Sequence, residues 1–326
     1  MSSRPNEDEL IQRFFAPLAG PAALGLADDA ALLTPPPAED LVLTTDALVA
    51  GVHFFPDDPP DAIARKGLRV NLSDLAAKGA RPLGFLLSLA LPRDWRTDWL
   101  EAFAAGLGDD ATNYACPLMG GDTVSTPGPV TLSITAIGAA PSGRMTRRTG
   151  VRPGDRLYVT GTIGDAAIGL LIRQGRGPDI PRADREFLAG RYLLPQPRTT
   201  LAAAMATHAH GGMDVSDGFV GDLTKMLRVS GVSARVPIYR LPLSLPARTA
   251  IAADPGLFAI AATGGDDYEL LAAVGPEEAA AFEQKARSAG VPATFVGEAV
   301  EGYDPPRFLG PDGGPVTFGR GSYSHF

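Results

Sequence analysis

Two spacings of apolar residues divide this chain into helices and strands. Leu10, Ile11, Phe14, Phe15 and Leu18 repeat at helical spacing behind Asn6 and Glu9, the pair that makes a capping box. Leu41–Thr45 then reads as a strand. Asp61 is placed to cap a helix that runs to about Lys78 and stops at Gly79. Phe85–Leu91 is an unbroken apolar run of strand length, closed by Pro92. Thr97 to about Tyr114 returns to the helical period, with Trp99, Leu100, Phe103 and Leu107 on its inner face. Leu118–Val124 and Val130–Ile137 are strands on either side of the turn sequence STPGP. This half is β-rich, with two long helices available to cover one face of a sheet. Its strands carry apolar residues on both faces, which leaves the second face for a partner subunit.

The segment Pro141–Asp155, rich in Arg, Gly and Pro, reads as a junction. Beyond it come strand Arg156–Thr160, helix Asp165–Arg173 and a helix-rich stretch to about His208. Strand Met213–Ser216 leads into helix Gly218–Val229. Strand-like runs at Ala234–Ile238, Tyr268–Val274 and Ala293–Val296 surround a helix at Pro276–Ala289. The expectation is an α/β (α+β) protein of two domains, residues 1–140 and 141–326.

Composition narrows the function. A chain of 326 residues with 45% apolar and 20% charged residues can bury a large core. A net charge of −8 argues against nucleic acid as a partner. The single cysteine, Cys116, excludes an intrachain disulfide and a cysteine-based zinc site, and fits a reducing compartment. The polar start MSSRPNEDEL has no signal-peptide pattern, and no apolar run is long enough for a bilayer. The expected location is the cytoplasm, with no membrane partner.

The acids are the informative residues. They recur at the ends of strand-like runs, each beside glycine or a hydroxyl residue. Examples are TTD at Thr44, Thr45 and Asp46, NLSD ending at Asp74, GGDT around Gly121 and Asp122, DVSDG from Asp214 through Ser216 and Asp217, and GGDDYE around Asp266. Carboxylates aimed at one point repel unless a cation lies between them. Oxygen-only ligands suit Mg²⁺, which usually bridges to phosphate. The pattern points to metal-dependent phosphoryl transfer from a nucleotide. Each motif also has a plain structural explanation. Asp28 and Asp29 can simply open a strand, and Asp74 can pair with Lys78 one turn on. Gly120 and Gly121 can serve a bulge, Ser216 or Asp217 can cap the next helix, and GGDDYE can be a solvated loop. His53 in GVHFF is a weak signal alone, as are Tyr323 and His325. GTIGDAAIG follows a strand and opens a helix, but it is not G-x-G-x-x-G and reads as a plain glycine-rich turn; no P-loop sequence occurs.

Taken in order, LADDAALL, TTDALVAGVHF, RKGLRVNLSDLAAKGARP, GGDTV, GDRLYVTGTIGDAAIGL, LLPQPR, DVSDGFVGDL and TGGDDYELL resemble the thiamine-monophosphate kinases, within the aminoimidazole-ribonucleotide-synthetase-like superfamily. The resemblance spans nearly the whole chain. It implies a two-domain fold whose N-terminal sheets pair across a homodimer, with the active site in a cleft lined by both domains. The implied reaction is ATP plus thiamine monophosphate giving thiamine diphosphate plus ADP. It further implies several Mg²⁺ ions, held directly or through water by Asp29, Thr44, Thr45, Asp46, Asp74, Asp122, Asp214 and Asp217. ATP would be met by Gly121, Asp122, Arg148 and Ser216, and thiamine monophosphate by His53, Asp266 and Tyr323. Asp46, Asp74, Asp122, Asp214 and Arg148 would carry catalysis. Three departures stand out: Ala27 where the family has Gly, Asp266 where it has Glu, and an added residue between Gly321 and Tyr323. Other superfamily synthetases that need a terminal cysteine fit less well, because Cys116 lies mid-chain.

Overall fold

A computed structural model describes residues 5–319 together with Ser322. The chain divides into two compact units, Met1–Leu75 with Ala80–Gly143, and Ala76–Gly79 with Arg144–Phe326.

The first unit is a sheet covered by helices on one face. Its strands are β1 (Glu39–Val49), β2 (Arg81–Pro92), β3 (Leu118–Thr126) and β4 (Thr131–Pro141), in the order β1-β4-β2-β3. β4 runs antiparallel to both β1 and β2, and β3 lies parallel to β2. Alternation along β4 buries Leu132, Ile134 and Ala136 on one face and leaves Thr131, Ser133 and Thr135 on the other. Helix α2 (Pro60–Ala77) packs on the first of these faces: a Cβ at Gly67 would lie 2.4 Å from Leu132. Helix α3 (Thr97–Asn113) lies against the start of α2, where Gly106 meets the Asp61 backbone. Gly106 and Gly108 each cost the helix roughly 1 kcal/mol relative to alanine. Fully burying Leu100, Phe103 and Leu107 returns about 1.5–3 kcal/mol apiece, so burial wins.

The opposite face carries exposed apolar residues. Leu43 is 63% exposed and Val124 49%, with Leu41 and Leu86 also open. The expected N-terminal helix is present in altered form. Its capping box forms, with Glu9 N–H donating to Asn6 and Asn6 N–H to Glu9. The α-turn α1 (Glu7–Leu10) then widens into a π-turn at Ile11–Phe15 and tightens into a 3₁₀ turn at Ala16–Leu18. Those turns bury Leu10, Phe14 and Phe15.

The second unit is built on a six-stranded sheet of β5 (Arg156–Thr160), β6 (Ala209–Val215), β7 (Ser233–Pro237), β8 (Glu269–Val274), β9 (Ala293–Val300) and β10 (Arg307–Leu309). The order is β10-β7-β9-β5-β8-β6. Every residue of β8 is buried, which explains its continuous apolar run. Leu271 and Ala273 face one core with Phe219, Leu223 and Met226 of α7 (Phe219–Ser230). Leu270, Ala272 and Val274 face another, with Met205 of α6 (Ala202–His208) and Phe282 of α10 (Ala279–Ser288). A third cluster joins α4 (Asp165–Arg173), α5 (Arg182–Leu193), α8 (Leu245–Ala253) and α9 (Leu257–Thr263). No helix is long and apolar enough to cross a membrane, among the described residues.

Candidate active site

Strand alternation sorts the acids of the first unit. On β1, Thr44 and Asp46 share a face with the buried Val42 and Leu48, the face that α2 covers. There the Thr44 hydroxyl donates to the Asp74 carboxylate at 2.5 Å. Asp74 therefore holds a strand hydroxyl, and Lys78 donates to the Gly212 carbonyl, 2.9 Å away. Thr45 points the other way. Its hydroxyl donates to the Ile134 carbonyl and accepts from Thr135, at 3.2 and 3.1 Å. Asp122 pairs in register with Ser88, which pairs with Ser133, so it too lies on the open face.

That face borders a cavity of about 720 Å³ lined by Asp28, Asp29, Gly120, Gly121, Asp122 and Thr123, with Ser88 and Thr135 beside them. Glu7 adds a fourth acid to the lining, and among the described residues no Lys, Arg or His belongs to it. The rest of the lining is apolar, with Phe15, Leu86, Met119 and Ile137 among it, and its carboxylates and hydroxyls suit a hard metal ion. Among the described residues no three His, Cys, Asp or Glu side chains form a ready-made metal centre. One or two carboxylates completed by hydroxyls, water and phosphate is the usual protein arrangement for Mg²⁺, and the residues present fit it.

Two expectations change here. Asp46 and Asp122 lie within their strands rather than at strand ends, because the ladder with β4 and β2 continues past them. Gly121 is glycine for a reason inside the sheet: a Cβ there would lie 1.9 Å from the Leu87 carbonyl oxygen. His53 follows β1 in a tight turn. Its Nδ1 accepts from the Val49 N–H at 3.0 Å, and its carbonyl accepts from the buried Lys66, also at 3.0 Å.

In the second unit, Asp214 lies almost fully buried one residue before the end of β6, and Ser216 and Asp217 follow the strand half-buried. Neither caps α7. Asp222, inside the helix, reaches back to the N–H groups of Asp217 and Gly218, at 2.8 and 3.1 Å. Lys225 bridges Asp217 and Asp222, at 2.5 and 3.1 Å. Burial pushes the Asp222 carboxyl above its ordinary range, against the pull of Lys225. Burial also opposes the Lys225 charge, but its acidic partners outweigh that and raise its pKa. Arg148 sits exposed in a 3₁₀ turn, its carbonyl accepting from Ser230 at 3.0 Å.

The GGDDYE stretch is not the solvated loop that its composition allows. Asp267 and Glu269 are buried, with Asp266 and Tyr268 half-buried beside them. Asp267 accepts from the N–H groups of Gly164 and Ala166 at the start of α4, at 2.7 and 3.3 Å. Burial drives its carboxyl well above the ordinary 3.8, against those hydrogen bonds. Glu269 accepts from Thr160 at 2.7 Å and from both Arg191 and Arg198. Sequence reasoning missed Asp267, Glu269, Asp222 and Arg198. Arg198 had a signal, its place in LLPQPR. The glycine-rich turn reading of GTIGDAAIG holds, with Gly161 and Gly164 at φ +57° and +86°. Tyr323 and His325 lie outside the described residues.

Comparison with known proteins adds a family. Residues 27–140 match the AIR synthase related protein N-terminal domain, and 152–305 its C-terminal domain. The chain is 46% identical over 304 residues to a thiamine-monophosphate kinase from Caulobacter vibrioides, covering 91% of this chain and 85% of that one. It superposes on the thiamine-monophosphate kinase of Stenotrophomonas maltophilia K279a with a TM-score of 0.83 and 37% identity, over 97% of this chain and 98% of that one. AaThiL complexed with AMPPCP and TMP matches with a TM-score of 0.78 and 27% identity over the full length of both chains.

Proposed function

Because the chain belongs to the AIR synthase related family, and within it to the thiamine-monophosphate kinases, we propose direct in-line transfer as the way it phosphorylates thiamine monophosphate with ATP. The products are thiamine diphosphate and ADP. The observation that carries the reading is the group of Asp28, Asp29, Gly121 and Asp122 on the wall of a cavity with no basic residue in its lining among the described residues. Such a wall would repel a bare nucleotide and accepts one only with its cations.

The acceptor is a phosphate monoester oxygen, already largely anionic near neutral pH. No strong general base is needed. The barrier lies in bringing two anions together, and catalysis is positioning with charge cancellation. In the first unit Asp29, Thr45, Gly121 and Asp122 belong to the metal–ATP side, as do Thr44, Asp46 and Asp74 on the helix-covered face. In the second unit Asp214 and Asp217 are metal ligands, Ser216 meets ATP, and Arg148 supplies a fixed cation for the transferred phosphoryl group. His53, Asp266 and Tyr323 are assigned to thiamine monophosphate. Bound Mg²⁺ supplies neutralisation of the phosphate oxygens. The N-terminal half, 1–140, is assigned metal binding and dimerisation. A homodimer through the open sheet face and a cytoplasmic location, in keeping with the buried lone Cys116, complete the reading.

A coupled ADP-release assay tests it. ADP should appear only when thiamine monophosphate and Mg²⁺ are both present. ADP release indifferent to thiamine monophosphate would point to a different acceptor, and none at all to a binding protein. A burst of protein-bound phosphate from γ-labelled ATP would exclude direct transfer.

A further inference from the structure

Backbone conformation singles out the entry to β8. Asp266 and Tyr268 have φ of +72° and +52°, a region that non-glycine residues rarely occupy. Tyrosine is among the poorest choices for it. Two such residues flanking one buried acid need strong restraints to persist.

The restraints are visible on every side. The Asp266 N–H donates to the Ser216 carbonyl at 2.9 Å, and the Tyr268 N–H to the Val215 carbonyl at 2.8 Å. Gly265 packs so closely on residue 216 that a Cβ would lie 2.2 Å from its carbonyl oxygen. Between the two strained residues, Asp267 turns inward to the N–H groups of Gly164 and Ala166. Just after them, Glu269 is held by Thr160, Arg191 and Arg198. Gly161 leaves room for this carboxylate, since a Cβ there would lie 2.0 Å from it.

We propose that Asp267 is a positioning residue for the acceptor side of the reaction. By clamping the strained segment to the start of α4, it holds Asp266 in fixed register with the Ser216–Asp217 turn. Glu269 is the second anchor of the same segment. The inference rests on the reading of Asp266 as a thiamine monophosphate contact. It goes beyond that reading in assigning a role to a buried carboxylate whose partners are backbone N–H groups.

The experiment compares the full-length wild type with Asp267→Ala and Asp267→Asn. Two readouts are used: hydrogen–deuterium exchange of the 263–268 amides, and the Michaelis constants with thiamine monophosphate and ATP each varied. Exchange reports local opening without reference to any substrate. Asp267→Ala should speed exchange in that segment about tenfold or more. It should also raise the KM for thiamine monophosphate roughly tenfold while that for ATP stays within about twofold. Asp267→Asn keeps one acceptor oxygen and should recover most of both losses. If the alanine protein does not fold, Asp267→Ser, whose hydroxyl is too short to meet both N–H groups, takes its place. Unchanged exchange in the alanine or serine variant overturns the clamp. Faster exchange with equal rises in both Michaelis constants overturns the acceptor-side assignment. Failure of the wild type itself to use thiamine monophosphate sinks the functional reading instead, and the exchange result still decides the clamp.

Discussion

At the scale of single residues, the acids of this chain divide by what they touch. Asp74 accepts a hydroxyl hydrogen from Thr44 and is only half-buried, so its charge is spare for a cation. Asp74→Asn keeps the volume and an acceptor oxygen while removing that charge. It should abolish ADP release with the thermal midpoint nearly unchanged; wild-type turnover in the variant, or in excess EDTA, would contradict the metal assignment. Gly121→Ala makes the contrasting case. The added Cβ meets a strand carbonyl oxygen, which cannot swing aside. The cost should reach the upper end of overpacking effects, about 3 kcal/mol, read from urea unfolding. The residues that motif reading finds are those with local signatures, such as Asp122 after two glycines. Asp267 and Glu269 escape it because their partners are far along the chain. Arg191 and Arg198 lie 78 and 71 positions from Glu269, and nothing local announces that a run of acids will be buried.

At the scale of elements, strands and helices with a strong period are legible almost to the residue, as with Arg156–Thr160 and Asp165–Arg173. β1 is less so. It is expected at Leu41–Thr45 and runs over Glu39–Val49, because its polar residues sit on an alternating face rather than at an end. The short β10 and the helices α8 and α9 carry no clear period and are not anticipated. One element-level prediction concerns α4, whose N-terminus is held by Asp267 across the fold. Burial raises this carboxyl well above the 3.8 of the unfolded chain, so the folded state retains a proton that the unfolded state releases. Its favourable contribution is complete below pH 3.8 and is lost as pH rises through the folded value. The thermal midpoint of the wild type should therefore decline with rising pH relative to Asp267→Asn, which lacks the titrating group. Parallel curves for the two proteins above pH 3.8 would remove the linkage.

At the scale of the whole molecule, the open face of the first sheet is the feature that composition could only hint at. Leu41, Leu43, Leu86 and Val124 stay exposed on a sheet whose other face buries Leu132, Ile134 and Ala136. Exposed apolar residues on one continuous face mark an interaction surface. Light scattering at micromolar concentration should report a dimer, and Leu43→Asp should shift it to monomer; a monomeric wild type would refute the pairing. Strand order has a different consequence, one that concerns synthesis. β4 sits between β1 and β2, yet it is the last of the four strands in the chain. Until Thr131–Pro141 has left the ribosome, nothing bridges β1 and β2, and the one edge of each that β4 pairs remains open. The nascent N-terminal half must therefore wait, unfinished, for its own centre. Translation stalled before that strand should yield a protease-sensitive, chaperone-dependent chain, and release of the stall past residue 141 should end that vulnerability.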